Sequence, residues 1–248
     1  MNVKTKENKL IDASEKGDVK AVKRLIESGS DVCAGDNWAL KLASSEGHAE
    51  VVRLLLKAGA DVHAQNGLPL RFAADGGSVE TVKVLLEAGA DIHAGNDRAL
   101  EWASYKGHTE VVKTLLEAGA NIRSGNDQSL RWAAENGHVE VLKTLIEAGA
   151  NVHAKEDVAL RLAAYYGHTE VVKELLELGA DVHAEDDRAL RLASMSGHTE
   201  VVKVLLDAGA NVDAEDGEAL RQASQYGHAE VVNILNFVKD KPPAMRMG

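Results

Sequence analysis

Glycine recurs at Gly17, Gly47, Gly77, Gly107, Gly137, Gly167, Gly197 and Gly227, always thirty residues apart and with no insertion. A fixed period of this size is the mark of stacked units that cannot bury their apolar faces alone. Residues 187–216, DRALRLASMSGHTEVVKVLLDAGANVDAED, show what one unit holds. Asp186 and Asp187 stand where a short carboxylate caps a helix start. Ala189, Leu190, Leu192 and Ala193 fall on one face of a short helix. Gly197 is placed to end that helix in the left-handed conformation. His198 and Thr199 open a second helix, with Glu200 in its first turn, where a negative charge suits the helix dipole. Val201, Val202, Leu205 and Leu206 make the second apolar stripe, with Lys203 and Asp207 outside it. Gly209 ends that helix, and residues 211–216 are a short polar return. Ala13, Ala43, Ala73, Ala103, Ala133, Ala163, Ala193 and Ala223 mark where helices approach closely.

The ends vary this pattern. Asp12 and Asp18 replace an apolar residue and a histidine in residues 1–30, and Gln222, Asn233 and Asn236 replace expected residues near the other end. End units with a polar outer face keep a stack soluble. Pro242 and Pro243 stop the last helix. The domain reading is one repeat domain over residues 1–238. It has an N-terminal capping unit (1–30), six internal units (31–215), a C-terminal capping unit (216–238) and a disordered tail (239–248). The period overrides the length prior of two domains for 248 residues.

Composition narrows the function. A formal net charge of -11 argues against nucleic-acid binding, which needs a cationic face. The N-terminus MNVKTKENKL has no apolar leader and no run of eighteen apolar residues exists, so no membrane segment is expected. The single cysteine, Cys33, forms no internal disulfide and fits a reducing, cytoplasmic setting.

The segments ALRLASMSGHTEVVKVLLDAGANVDAED and ALRLAAYYGHTEVVKELLELGADVHAED resemble ankyrin repeats. The shared marks are L-x-x-A, G-H, E-V-V-x-x-L-L and G-A-D-V, over roughly residues 5–238. The family unit is about 33 residues, and this one is thirty. The shortfall lies between G-A-D-V and the first helix, where the family carries a β-hairpin finger with D-x-x-G-x-T-P. Only Pro69, in GLPL, is similar to the T-P. The resemblance therefore implies an all-α fold. It would be an α-solenoid of eight stacked helix-turn-helix repeats with shortened or absent β-hairpin fingers. The short units are also similar to ankyrin arrays of giant viruses of amoebae, which implies a partner in a host cytoplasm. The few residues after Val238 leave no room for the F-box-like segment that some viral ankyrin proteins append.

Four sets of residues bear on chemistry. The histidines form two ladders, His48, His108, His138, His168, His198 and His228 after the turn glycine, and His63, His93, His153 and His183 in the return. Zinc needs ligands converging within about 2.0–2.3 Å of one ion. Equivalent residues of stacked helices stand roughly 8–10 Å apart. The ladders are read as structural hydrogen-bonding groups, with no metal or cofactor. A basic ladder, Lys41, Arg71, Arg131, Arg161, Arg191 and Arg221, is broken by Glu101. Asp127, Asp157 and Asp187 stand four residues before its arginines, so it reads as surface salt bridges, with a basic stripe for an acidic partner as the alternative. Trp102, Trp132 and Phe72 take leucine positions and read as core.

The fourth set varies while its surroundings repeat. It is the pair before each turn glycine: Ser45 and Glu46, Asp75 and Gly76, Tyr105 and Lys106, Glu135 and Asn136, Tyr165 and Tyr166, Met195 and Ser196, Gln225 and Tyr226. All four tyrosines of the chain are here. In the ankyrin family the corresponding positions face the concave groove and contact targets. With the enrichment of Tyr and Met at interfaces, this makes Tyr105, Lys106, Glu135, Asn136, Tyr165, Tyr166, Met195 and Tyr226 candidate partner-binding residues. Trp38, near a first-helix start, joins them. The implied function is a non-enzymatic scaffold for a protein partner, with no small-molecule substrate. An enzyme would need a constellation that breaks the repeat, and every Ser, His and Asp that draws the eye has copies in neighbouring units. The remaining alternative is a self-assembling repeat protein.

Overall fold

The fold was obtained as a computed structural model that describes residues 5–240. Contacts divide the chain into two units, the first ending at Ser124 and the second beginning at Gly125. The first holds α1 (Lys6–Glu15), α2 (Val19–Glu27), α3 (Ala34–Ser45), α4 (Ala49–Lys57), α5 (Ala64–Asp75), α6 (Val79–Glu87), α7 (Ala94–Lys106) and α8 (Thr109–Glu117). The second holds α9 (Gln128–Glu135), α10 (Val139–Glu147), α11 (Val158–Tyr166), α12 (Thr169–Glu177), α13 (Ala184–Ser196), α14 (Thr199–Asp207), α15 (Ala214–Gln225) and α16 (Ala229–Lys239). The described residues contain no strand, so the hairpin fingers are absent. The last helix runs one residue past the expected boundary, to Lys239. The expected tail from residue 241 onward, with Pro242 and Pro243, lies outside the described residues.

Within each unit the odd-numbered helices stack on one another and the even-numbered helices stack behind them. The core follows the expected stripes. In one repeat Leu100 and Ala103 of α7 meet Val111, Val112 and Leu115 of α8, all essentially inaccessible to solvent. Each fully buried leucine contributes about 1.5–3 kcal/mol. The recurring alanine is fully buried from Ala43 to Ala223, consistent with close helix approach.

Both helices of a repeat end on glycine in the left-handed region. Gly197 has φ 76° and Gly209 has φ 97°. The next amide in each case reaches back to the last turn, His198 N–H to Ala193 O at 3.0 Å and Ala210 N–H to Leu205 O at 2.9 Å, as in a Schellman ending. Gly197 has a second reason to be glycine. A Cβ there would lie 2.5 Å from Nδ1 of His228 in the next repeat.

The return holds what the sequence reading did not foresee. In every repeat after the first, three successive residues take left-handed dihedrals just before the regular first helix, as in Lys155, Glu156 and Asp157 (φ 50°, 57° and 56°). Glu185, Asp186 and Asp187 repeat this (φ 50°, 55° and 55°). Left-handed conformation costs L-residues roughly 1–2 kcal/mol each. The expected capping role of Asp186 and Asp187 is therefore wrong: Asp187 is itself left-handed and makes no contact with its own helix amides. Its carboxylate is buried and turns to the next repeat, accepting the Asn211 N–H at 2.7 Å. Asp157 accepts the Asp181 N–H at 3.0 Å, Asp127 the Asn151 N–H at 2.8 Å, and Asp97 the Asn121 N–H at 2.7 Å. Asn37 does the same for Asp61 at 2.7 Å. Five of the seven left-handed turns are thus held from outside by the repeat that follows, and the other two carry Gly67 and Gly217 at that position.

Candidate functional site

The histidine that follows six of the eight turn glycines builds the frame of the variable face. Nε2 of His198 donates to the carbonyl of Tyr165 at 2.9 Å, and Nε2 of His228 to the carbonyl of Met195 at 2.9 Å. His168 does so to Glu135, His108 to Asp75 and His48 to Glu15, at 2.8–3.0 Å. Tyr165, Met195, Glu135 and Asp75 are each the first member of a variable pair, and Glu15 holds the same position in the first repeat. The main chain at that position is fixed by the next repeat, while its side chain is left to differ. The second histidine ladder is structural as well. Nδ1 of His93, His153 and His183 donates to Asp97, Asp157 and Asp187 at 2.9–3.1 Å.

The tyrosines on this frame are open to solvent. Tyr105 and Tyr165 are 39% exposed, Tyr166 46% and Tyr226 55%. In the second unit the rings of Tyr165 and Tyr166 meet edge to face at 4.9 Å and 84°. Tyr166 lies nearly parallel to His168, and Tyr226 to His228, each pair with centroids 6.4 Å apart. The charge of Glu135 holds the Tyr166 phenol above its ordinary pKa, because it opposes the phenolate. Asn136 and Met195 are half-buried, and Asn136 donates its side-chain amide to the carbonyl of Trp132 at 2.9 Å. In the first unit Tyr105 meets Trp102 edge to face at 6.3 Å. The Lys106 ammonium lies 5.6 Å from the Tyr105 ring centre and 3.6 Å from Asp75. Trp38 is 41% exposed at the opposite end of its helix.

Two expectations need correction. Trp102 is not a core residue, since 38% of its surface is exposed. Phe72 and Trp132 are half-buried. Leu42, Leu162 and Leu192, at the same repeat position, are also half-buried, so this position is the margin of the core, and an indole placed there projects outward. Trp102 therefore belongs with Tyr105 on the variable face, where the sequence reading did not put it.

The basic ladder is not a set of salt bridges to the aspartates four residues earlier, because those carboxylates face the next repeat. Three of the arginines instead cover the carbonyls of the left-handed turns. Arg161 donates to Lys155 O at 2.8 Å and Arg191 to Glu185 O at 2.8 Å, while Arg221 donates to both Glu215 O and Asp216 O. Their remaining charge crosses to the following repeat, Arg161 to Glu185 at 2.6 Å and Arg191 to Glu218. The Arg191 guanidinium holds the Glu218 carboxyl below the usual range. A signal for this was present in the sequence. The return position is Asn37, Gly67, Asp97, Asp127, Asp157, Asp187 and Gly217, all residue types that tolerate a left-handed backbone.

Stacked helix pairs with regular pairing and a variable exposed edge define a helical repeat scaffold. A family model described as ankyrin repeats (3 copies) matches residues 2–66, 70–156, 125–186 and 160–241. The chain belongs to the ankyrin repeat family, whose arrays are protein–protein interaction scaffolds and typically non-enzymatic. A comparison with curated proteins finds no match.

Proposed function

We propose that this chain binds a protein partner on the faces that the variable pairs of the first helices form within each unit, and that it acts by masking or tethering that partner without chemistry of its own. The observation that carries this reading is the pairing of a fixed main chain with a free side chain. Histidine locks the carbonyl of Tyr165 and Met195, while Tyr165, Tyr166 and Tyr226 remain exposed. Tyrosine adds contact area at low rotamer cost, and a pre-set backbone lowers the ordering cost of binding. Tyr105, with Lys106 and Trp102, is the corresponding surface of the first unit. The short thirty-residue period is the basis for reading the protein as a factor that meets a host protein in a host cytoplasm. The partner can be captured from a host lysate, purified, and used to protect the chain from iodination. Protection of Tyr105, Tyr165 and Tyr166 in the complex is the expected result. Unchanged iodination of all three overturns the reading. A rise in scattering mass with concentration in the chain alone would instead favour self-assembly.

A further inference from the structure

We infer that Glu135, Tyr165 and Tyr166 form a seat for an arginine or lysine side chain, and that the segment of the protein partner docking on the second unit is basic. The first unit supplies the pattern. Asp75, Tyr105 and Lys106 hold the repeat positions that Glu135, Tyr165 and Tyr166 hold sixty residues later. The frame is the same in both places. Nε2 of His108 donates to the Asp75 carbonyl and Nε2 of His168 to the Glu135 carbonyl, each at 2.8 Å. In the first unit a cation of the chain itself joins carboxylate and ring. The Lys106 ammonium lies 3.6 Å from Asp75 and 5.6 Å from the Tyr105 ring centre. In the second unit the carboxylate and the tyrosine are kept, but a second tyrosine stands where that lysine would be. Glu135 forms no ion pair among the described residues.

The rest of this face fits the same occupant. The Tyr165 and Tyr166 rings are in mutual contact and both are exposed. A tyrosine ring attracts a cation within about 6 Å of its centre, and a guanidinium can stack on a ring while donating to a carboxylate. Glu135 is near enough to Tyr166 for its charge to oppose the phenolate, so carboxylate and ring address the same space. No other charged side chain stands in the variable pairs of the second unit. The arginines of its first helices are already engaged, each donating to an oxygen of Gln128, of a left-handed turn or of a glutamate. Residues 125–248 hold 12 Lys and Arg against 21 Asp and Glu, a formal charge of -9. Such a unit draws in a basic segment and repels an acidic one. An arginine entering beside Tyr165 then donates to Glu135 and completes the arrangement that Lys106 completes in the first unit.

This inference rests on the proposed protein-binding reading, and its probe is independent of the natural partner. A capped, fluorescently labelled hexa-arginine peptide is titrated into the chain near physiological ionic strength and followed by anisotropy. Saturable binding is expected. Glu135→Gln should weaken it about fivefold, the upper range for an exposed ion pair. Tyr166→Lys supplies the cation from within the chain, as Lys106 does, and should weaken it at least as much. Glu147→Gln removes an exposed charge of α10, outside the variable pairs, and serves as the control for net charge. Its affinity should stay within about twofold of the parent, since salt screens charges at a distance. Absence of saturable binding overturns the proposal, as does binding that neither Glu135→Gln nor Tyr166→Lys weakens. Equal weakening by Glu147→Gln would show attraction by net charge alone and would also overturn it. Should the peptide fail while the captured partner still loses affinity for the chain with all three of Tyr105, Tyr165 and Tyr166 changed to Ala, the basic occupant is refuted and the protein-binding reading stands.

Discussion

At the scale of the residue, one backbone hydrogen bond turns a repeated position into a variable one. The imidazole of His198 holds the Tyr165 carbonyl, so any side chain can stand there without disturbing the stack. The second tyrosine of the pair reports on its neighbour. Glu135 raises the Tyr166 phenol pKa by opposing the phenolate. Glu135→Gln removes that negative charge, so the Tyr166 titration should move to lower pH. A spectrophotometric titration near 295 nm, with Tyr166→Phe identifying the component, checks this. An unmoved component would separate the two groups. The histidine ladders were legible in the sequence as hydrogen-bonding groups because equivalent residues are too far apart to share an ion. Their acceptors were not legible, since a carbonyl leaves no mark in a sequence. The outward position of Trp102 was missed for a related reason. The period identifies its position with that of Leu162 and Leu192, and only the packing shows that this position is the edge of the core.

At the scale of the element, helices and returns differ in how much the sequence says of them. The helices are written locally, in apolar stripes such as Val201, Val202 and Leu205 and in the glycines that end them. The return is written in its neighbours. Lys155 and Glu156 have no intrinsic taste for a left-handed backbone. They hold it because Arg161 caps the Lys155 carbonyl and Asp157 accepts an amide from the next repeat. This makes the return a coupling device between repeats, and it predicts a graded response. Asp187→Asn should preserve the bond to Asn211, as Asn37 does to Asp61 in the first unit. Asp187→Gly keeps the left-handed backbone, as at Gly217, but removes the acceptor. An unmade bond to a partly buried amide costs about 1–2 kcal/mol, or about 2–8 °C in melting temperature for a chain of this size. Amide exchange at Asn211 should quicken in the glycine variant and stay slow in the asparagine one. Equal protection in both would show that the aspartate does not couple the repeats.

At the scale of the whole molecule, repetition supplies stability, and on the proposed reading departure from repetition supplies specificity. The thirty-residue period, the all-helical fold and the missing fingers were readable from glycine spacing and from the length of the return. The variable pairs were readable as the positions that break the pattern. The partner that the proposed reading gives them was not, because a partner's shape has no trace in the period. The most direct measurement is the affinity of the captured partner for the chain carrying Tyr105→Ala, Tyr165→Ala and Tyr166→Ala together. These rings are each about two-fifths exposed, so their loss leaves the core in place. Binding should weaken by more than about 2 kcal/mol, roughly thirtyfold, the scale of interface hot spots, with the melting curve nearly unmoved. Unchanged affinity would contradict the account, and a melting temperature lower by tens of degrees would show that the tyrosines hold the fold together and do not read a partner.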